Sequence, residues 1–176
     1  QWDMPELFYD LADIDDQSAM LWNDNGKLWF FGGGRAFGDV RFRFRTSTDN
    51  GATWTKLSVP YIKEQKAYAE AQPITSAFRG PDRSIYFGAD GRGADSLLWA
   101  SSDEGRTWFD TGGRTPGRHT TFVVLRDGRI LAMGGKSSDI EGYMPKAYSK
   151  DWGKSWSKPE KTEFAALGGN QRPIII

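Results

Sequence analysis

The sequence predicts an all-β fold of repeated four-stranded antiparallel units, and three observations carry that prediction. A box of the form Ser-x-Asp-x-Gly-x-Thr/Ser-Trp occurs three times: "STDNGATW" from Ser47, "SSDEGRTW" from Ser101 and "SKDWGKSW" from Ser149. Asp49 to Asp103 is 54 residues and Asp103 to Asp151 is 48, and a period of roughly 50 belongs to propellers, solenoids or arrays. An apolar hairpin stands upstream of every box, and no segment shows helical periodicity.

The hairpins are "SAMLWNDNGKLWFFGGG", "PITSAFRGPDRSIYFGADG" and "TTFVVLRDGRILAMGGK". Asn25-Gly26 and Asp127-Gly128 each sit between apolar runs and predict type I′ turns. A third strand leads into each box ("VRFRFRTS", "SLLWASS", "MPKAYSK"), and a fourth leaves it ("TWTKLSV", "TWFDTG", "SWSKP"). Four antiparallel strands per repeat make a propeller blade. The blades are placed at 17–57, 72–111 and 119–158 of a single partial propeller covering 1–176, and "QRPIII" at 170–176 reads as the first strand of a fourth. Three blades leave a ring open, with sheet faces bare. The chain is therefore expected either to be part of a longer protein or to complete a ring with a second copy.

Composition narrows the partners. The 23 basic and 23 acidic residues balance, so no field of one sign favours nucleic acid or an anionic membrane. Eight Trp among 21 Gly suit short strands joined by tight turns. There is no Cys, which excludes disulfides and thiolate metal sites. No stretch approaches the roughly 20 apolar residues of a spanning helix, and "QWDMPELFYD" lacks a signal-peptide pattern. No cofactor or metal is called for.

Local turn chemistry accounts for every box residue. The Asp accepts backbone N–H bonds from residues just ahead, and Gly51, Gly105 and Gly153 supply a positive φ. Thr53, Thr107 and Ser155 bond back to the Asp, while Trp54, Trp108 and Trp156 plug the space between strands. Calcium or glycan sites at the boxes would need a further carboxylate that the three do not share. The boxes are scaffold.

The box resembles the Asp-box, or bacterial neuraminidase repeat, of the sialidase superfamily. The stretches "GRHTTFVVLRDGRILAMGGK" and "ALGGNQRPIII" are similar to a sialidase-like subgroup. The resemblance covers nearly the whole chain and implies a β-propeller, six-bladed in sialidases, in a secreted or periplasmic protein. It also places the boxes on the face away from the active site. The opposite face then collects two sets of residues. The inter-blade connections give Asp15, Asp16 and Gln17, Glu70 and Gln72, Arg118 and His119, and Asn170, Gln171 and Arg172. The loops between second and third strands give Arg35 and Asp39, Asp90 and Arg92, and Lys136, Asp139, Glu141 and Tyr143. Polar residues from separate repeats, gathered at one end of an apolar scaffold, make a pocket.

Sialidases clamp a carboxylate with three arginines and use an Asp acid/base with a Tyr–Glu nucleophile pair. By resemblance Arg35 matches one clamp arginine and Asp39 lies near the acid/base position. Arg118 and Arg172, with Gln72, Lys136 and Asp139, are expected to bind substrate; bidentate Arg suits a carboxylate. The family's Arg-Ile-Pro strand would begin at Gln17-Ser18-Ala19, where no Arg stands. Arg172-Pro173 resembles it in a different blade, and the remaining arginines and Tyr–Glu pair would fall beyond Ile176. Weak or no sialidase activity is expected.

His119, the single histidine, carries two readings. One is a hydrogen-bonded structural residue before a strand; the other is a general acid/base, since only His titrates unperturbed near neutral pH. Arg41, Arg43 and Arg45 alternate and are expected on one solvated strand face. Gly32-Gly33-Gly34 lacks the Gly-Lys-Ser/Thr and helix of a phosphate loop. Two function classes follow: a sialidase-like exo-glycosidase with His119 and Asp39 as catalytic groups, or a non-catalytic propeller binding glycan or protein on the same face.

Overall fold

The computed structural model describes residues 6–10, 17–37, 40–62, 72–91, 93–166, 168–169 and 172–175. Among them there is no helix, and the strands form three blades of a β-propeller. The first sheet runs β1 (Gln17–Asp24), β2 (Lys27–Phe37) and β3 (Val40–Ser47), with a short return in which Phe44 and Ser58 exchange backbone bonds of 3.0 and 2.9 Å. β4 (Tyr61–Ile62) follows and joins the next sheet. That sheet orders β5 (Pro73–Arg79), β6 (Ile85–Asp90), β7 (Asp95–Ser101) and β8 (Thr107–Asp110) antiparallel; β4 adds parallel to β8, and β9 (Thr115–Pro116) pairs β7. The third sheet is β10 (Thr121–Val124), β11 (Ile130–Met133), β12 (Tyr143–Ser149) and β13 (Glu160–Ala165). β13 lies just past the "SWSKP" expected to form it, and Arg172–Ile175 carry no strand pairing.

Turn chemistry fixes the hairpins. Asn25 and Gly26 have φ of 50° and 93°, the pair a type I′ turn needs, between paired Asp24 and Lys27. The third hairpin departs from that expectation. Only Gly128 has positive φ there, Gly128 N–H donates to Leu125 O at 3.0 Å, and Leu125 N–H donates to Arg129 O at 2.8 Å. The turn is a type I with a left-handed residue after it, one residue longer than a I′ turn. The middle hairpin closes the same way, with Arg83 (φ 66°) in the left-handed position.

Innermost strands β1, β5 and β10 lie side by side. Trp29, Phe31 and Phe42 of the first sheet pack against Phe87, Trp99 and Trp108 of the second; Phe31 and Phe42 have centroids 4.8 and 4.7 Å from Phe87. On its other side the second sheet meets Phe122, Ile130 and Ala132. Sheet two is thus sandwiched, which is why "IYFGAD" and "SLLWAS" are buried at every position instead of alternating. At Gly88 a Cβ would lie 2.5 Å from the Phe122 ring, so the residue must be glycine for the second and third blades to approach this closely.

At Arg43 and Arg45 the arginine face of β3 is not solvated; the Arg41 side chain lies outside the described residues. Arg43 is 1% exposed with its guanidinium 5.4 Å from the Tyr9 ring, and Arg45 lies over Phe8 at 4.5 Å. Phe8 also meets Phe30 and Trp54 at 4.9 and 5.2 Å. The N-terminal segment covers this face with aromatic rings, and the arginines bury their stems beneath it.

Candidate functional site

The two ends of the sheets differ in chemistry. At the box end the same bonds recur. Ser47, Ser101 and Ser149 each donate from the hydroxyl to Oδ1 of the box Asp, at 2.7, 3.0 and 2.8 Å. Each also accepts the glycine N–H at 2.9 Å. The N–H of Thr53, Thr107 and Ser155 donates to Oδ1 at 2.9, 2.8 and 2.9 Å, and their hydroxyls donate to Oδ2 at 2.6, 2.7 and 2.5 Å. These donors hold the Asp49 carboxyl at about 2 instead of 3.8 and lower that of Asp151. The residue before each glycine is left-handed too: Asn50 at 57°, Glu104 and Trp152 at 58°. That gives the φ pair of a type I′ turn, more than the glycine alone predicts. Trp54 and Trp108 donate to Gly51 O and Gly105 O at 3.0 Å. In the third box Gly153 O instead accepts Gly113 N–H and the Thr111 hydroxyl, both at 3.0 Å, and the Trp156 indole N–H finds no partner among the described residues. Arg79 bridges Asp24 of the first blade and Glu104 of the second box at this same end.

At the opposite end the repeats diverge. Leu28, Ile85 and Ile130 pair with the box serines Ser47, Ser101 and Ser149, which aligns the three second strands. Five residues onward the aligned positions read Gly33, Asp90 and Gly135. Asp90 is fully buried. Its N–H donates to Gln72 O at 3.1 Å. Its Oδ1 accepts the His119 N–H at 2.6 Å, and its Oδ2 accepts Arg118 Nε–H at 3.1 Å. His119 Nε2 stands 3.4 Å from Oδ2. Arg118 N–H donates to Lys136 O at 2.8 Å, which ties the third sheet's second strand to the group. Beneath lies a buried hydroxyl layer: Ser96 and Thr120 both donate to Gly117 O at 2.9 Å.

Burial pushes the His119 imidazole below its usual 6.5; Asp90 opposes the shift, and Arg172, Arg118 and Lys136 reinforce it. A neutral ring therefore sits between one buried carboxylate and three cations at neutral pH. Its side chain is 9% exposed and its φ is 58°.

The structure thus brings Arg118, His119, Lys136 and the Gln72 backbone together around Asp90, with Arg172 near enough to weigh on the imidazole. Asp139 caps its own loop by accepting Gly142 N–H at 2.9 Å and takes no part in the Asp90 bonds. Glu141 pairs with Lys161 on the surface. Arg35 has its backbone at the far end of β2, but its side chain lies outside the described residues, as do Asp39, Asp15, Asp16, Glu70, Arg92, Asn170 and Gln171. Asp90 stands among the expected loop positions without a role. Its signal in the sequence is the break in the repeat, a carboxylate where two blades carry glycine. Among the described residues no group of three or more His, Cys, Asp or Glu could hold a metal ion.

No protein-family model and no curated protein matches this sequence. Solved structures do. A protein of unknown function from Dyadobacter fermentans is similar with a TM-score of 0.68 at 19% identity, over 92% of this chain and 55% of that one. A Hadza microbial sialidase follows at TM-score 0.61 and 14% identity, over 84% and 33%. An α-L-arabinofuranosidase from Fusarium graminearum gives 0.63 and 12%, over 85% and 50%. The chain spans about half or less of the length of these relatives, and at such identities the likeness is one of fold. The fold they share with this chain is the β-propeller.

Proposed function

We propose that this chain carries part of the active face of a sialidase-like Asp-box propeller, an exo-glycosidase acting on a glycan at the end of the sheets opposite the boxes. One observation supports it above the rest: buried Asp90 and His119, with half-buried Arg118, form a cluster at that end, where the repeat is broken, and Arg172 and Lys136 act on the imidazole electrostatically. In this reading Arg118 and Arg172 engage an acidic group of the sugar, since guanidinium presents paired donors to a carboxylate. Lys136, Gln72 and Asp139 line the approach, and Arg35 joins the arginines. His119, neutral and poised below its ordinary value, exchanges a proton with the substrate, and Asp39 serves as the second proton-handling group. Retaining cleavage further needs a nucleophile across the scissile bond.

The test uses the whole protein that carries this chain, assayed against terminal uronosides, sialosides and neutral exo-glycosides. An acidic exo-substrate is expected to be cleaved, with a standard sialoside turned over slowly or not at all. The reading fails if no terminal sugar is released from any of them. Tight glycan binding without release would establish the non-catalytic propeller instead.

A further inference from the structure

The Asp90–His119 pair is more specific than the backbone that presents it. Register aligns Met20 with Thr121, since they pair with Phe31 and Met133, each three residues beyond Leu28 and Ile130. Two residues before these, Ser18 and His119 are both left-handed, at 54° and 58°, although the first blade's register shifts between Gln17 and Met20 and the third's does not. A left-handed residue near the start of the innermost strand is thus shared by the first and third blades, while the carboxylate beside His119 is not. Asp90 reaches across from the second blade to the third, where glycine would offer nothing.

Oδ1 of Asp90 is engaged by the His119 N–H, and Oδ2 accepts from Arg118 while facing Nε2 of the ring at 3.4 Å. Nε2 is buried, and no hydrogen-bond partner reaches it among the described residues. A lone pair on Nε2 would confront a carboxylate oxygen; a proton there is attracted to it. That attraction is electrostatic and not a formed hydrogen bond: the carboxylate oxygen stands 3.4 Å from Nε2. A neutral imidazole has one N–H, and its partner decides which nitrogen carries it.

We propose that Asp90 is the positioning residue of His119: its carboxylate keeps the ring proton on Nε2 and leaves the lone pair on Nδ1, which is the proton-accepting nitrogen of the site. The use of that lone pair rests on the function proposed above; the hold of Asp90 on the ring does not. The charged groups that act on the imidazole are Asp90, Arg118, Arg172 and Lys136.

Ring nitrogen NMR of the whole protein reads this directly, with Asp90→Asn and Asp90→Gly beside the wild type and the loss of signal in His119→Asn identifying the resonance. The glycine variant installs the residue that the other two blades carry. The wild type is expected to show a protonated Nε2 and a lone-pair Nδ1. In Asp90→Asn the ring should titrate at lower pH than in the wild type, because the negative charge favouring imidazolium is gone; in Asp90→Gly the tautomer preference should be lost. A wild-type ring protonated on Nδ1 overturns the proposal, as does a folded Asp90→Asn protein with unchanged tautomer and midpoint. Should both variants fail to fold, the wild-type tautomer still decides. An Nε2–H ring in a protein that cleaves no glycan overturns the proposed function and leaves the Asp90 hold standing.

Discussion

At the box end, Ser47, Ser101 and Ser149 make the same bonds at nearly the same lengths, and Asp49, Asp103 and Asp151 accept the same donors. At the opposite end of those sheets, one aligned position reads Gly33, Asp90 and Gly135, and only the middle blade buries a carboxylate. Both ends are polar, yet they answer to different demands. Closing a four-residue turn is the same problem in every blade and receives the same solution. A group that binds one ligand or moves its protons needs to be built once, which is why the proposed site is put where the repeat stops repeating.

The largest effect expected is on the box tryptophans. Trp108 is fully buried between the first two blades, edge-on to Phe42 at 5.3 Å and Phe31 at 5.9 Å. Trp108→Ala should cost about 3–5 kcal/mol, the usual loss for a buried aromatic. Trp54 is half-buried against Phe8, so Trp54→Ala should cost clearly less. Denaturant titration of both variants checks the order; equal losses would show that the boxes are not graded by their place between blades.

Asp103→Ala comes next. It removes the acceptor for the Ser101 hydroxyl and for both donors of Thr107, and should cost about 1–3 kcal/mol. Glycan affinity of the folded protein should be unchanged. A variant of full stability that loses ligand would falsify the scaffold assignment and erase the contrast between the two ends.

The box end was legible in the sequence because its chemistry is local: Asp, Gly and Thr/Ser act within a few residues of one another. The blades followed from hairpins whose apolar runs are contiguous. Less legible was anything decided by what packs on top. Arg43 and Arg45 look like a solvated stripe until Phe8 and Tyr9, more than thirty positions earlier, cover them. Asp127-Gly128 looks like a I′ turn because the dipeptide does not reveal the extra residue in its loop. Arg118 and His119 were visible as polar residues at an inter-blade connection. The partner that organises them, Asp90, is about thirty positions away, and only the register of the blades shows that it replaces a glycine.

His119→Asn sharpens the comparison from the other side. Asn tolerates the left-handed φ better than most residues, and the backbone N–H that bonds Asp90 is kept. The cost to stability should stay at about 1 kcal/mol, the centre of the range for point substitutions. Glycan turnover should fall on the order of 100-fold or more, the usual worth of a general acid or base. Unfolding curves and rates on the same preparation check both. Large destabilisation with activity retained would make His119 a structural residue after all.

The smallest effect is one of pH, and it separates the two ends by where each gives way. His119 in the folded protein binds its proton more weakly than the ordinary 6.5 of an unfolded chain, chiefly through burial, with Arg172, Arg118 and Lys136 adding to the shift and Asp90 opposing it. As pH falls below about 6.5 the unfolded chain takes up that proton first, so unfolding is favoured; the His119 contribution is fully present above 6.5 and is lost as pH falls through the folded value. The box carboxyls behave as acids held low: Asp49 titrates at about 2 instead of 3.8, and Asp151 is shifted in the same direction. Their contribution is present above roughly pH 4 and fades only as pH falls from there towards 2. Stability measured against pH should therefore decline in two stages, a shallow one starting near 6.5 and a second below 4. His119→Asn should remove the first and leave the second, while Asp49→Asn should weaken only the second. A first stage that survives His119→Asn would mean that the imidazole is not the buried neutral group at the site end, and the division of labour between the two ends would have to be drawn without it.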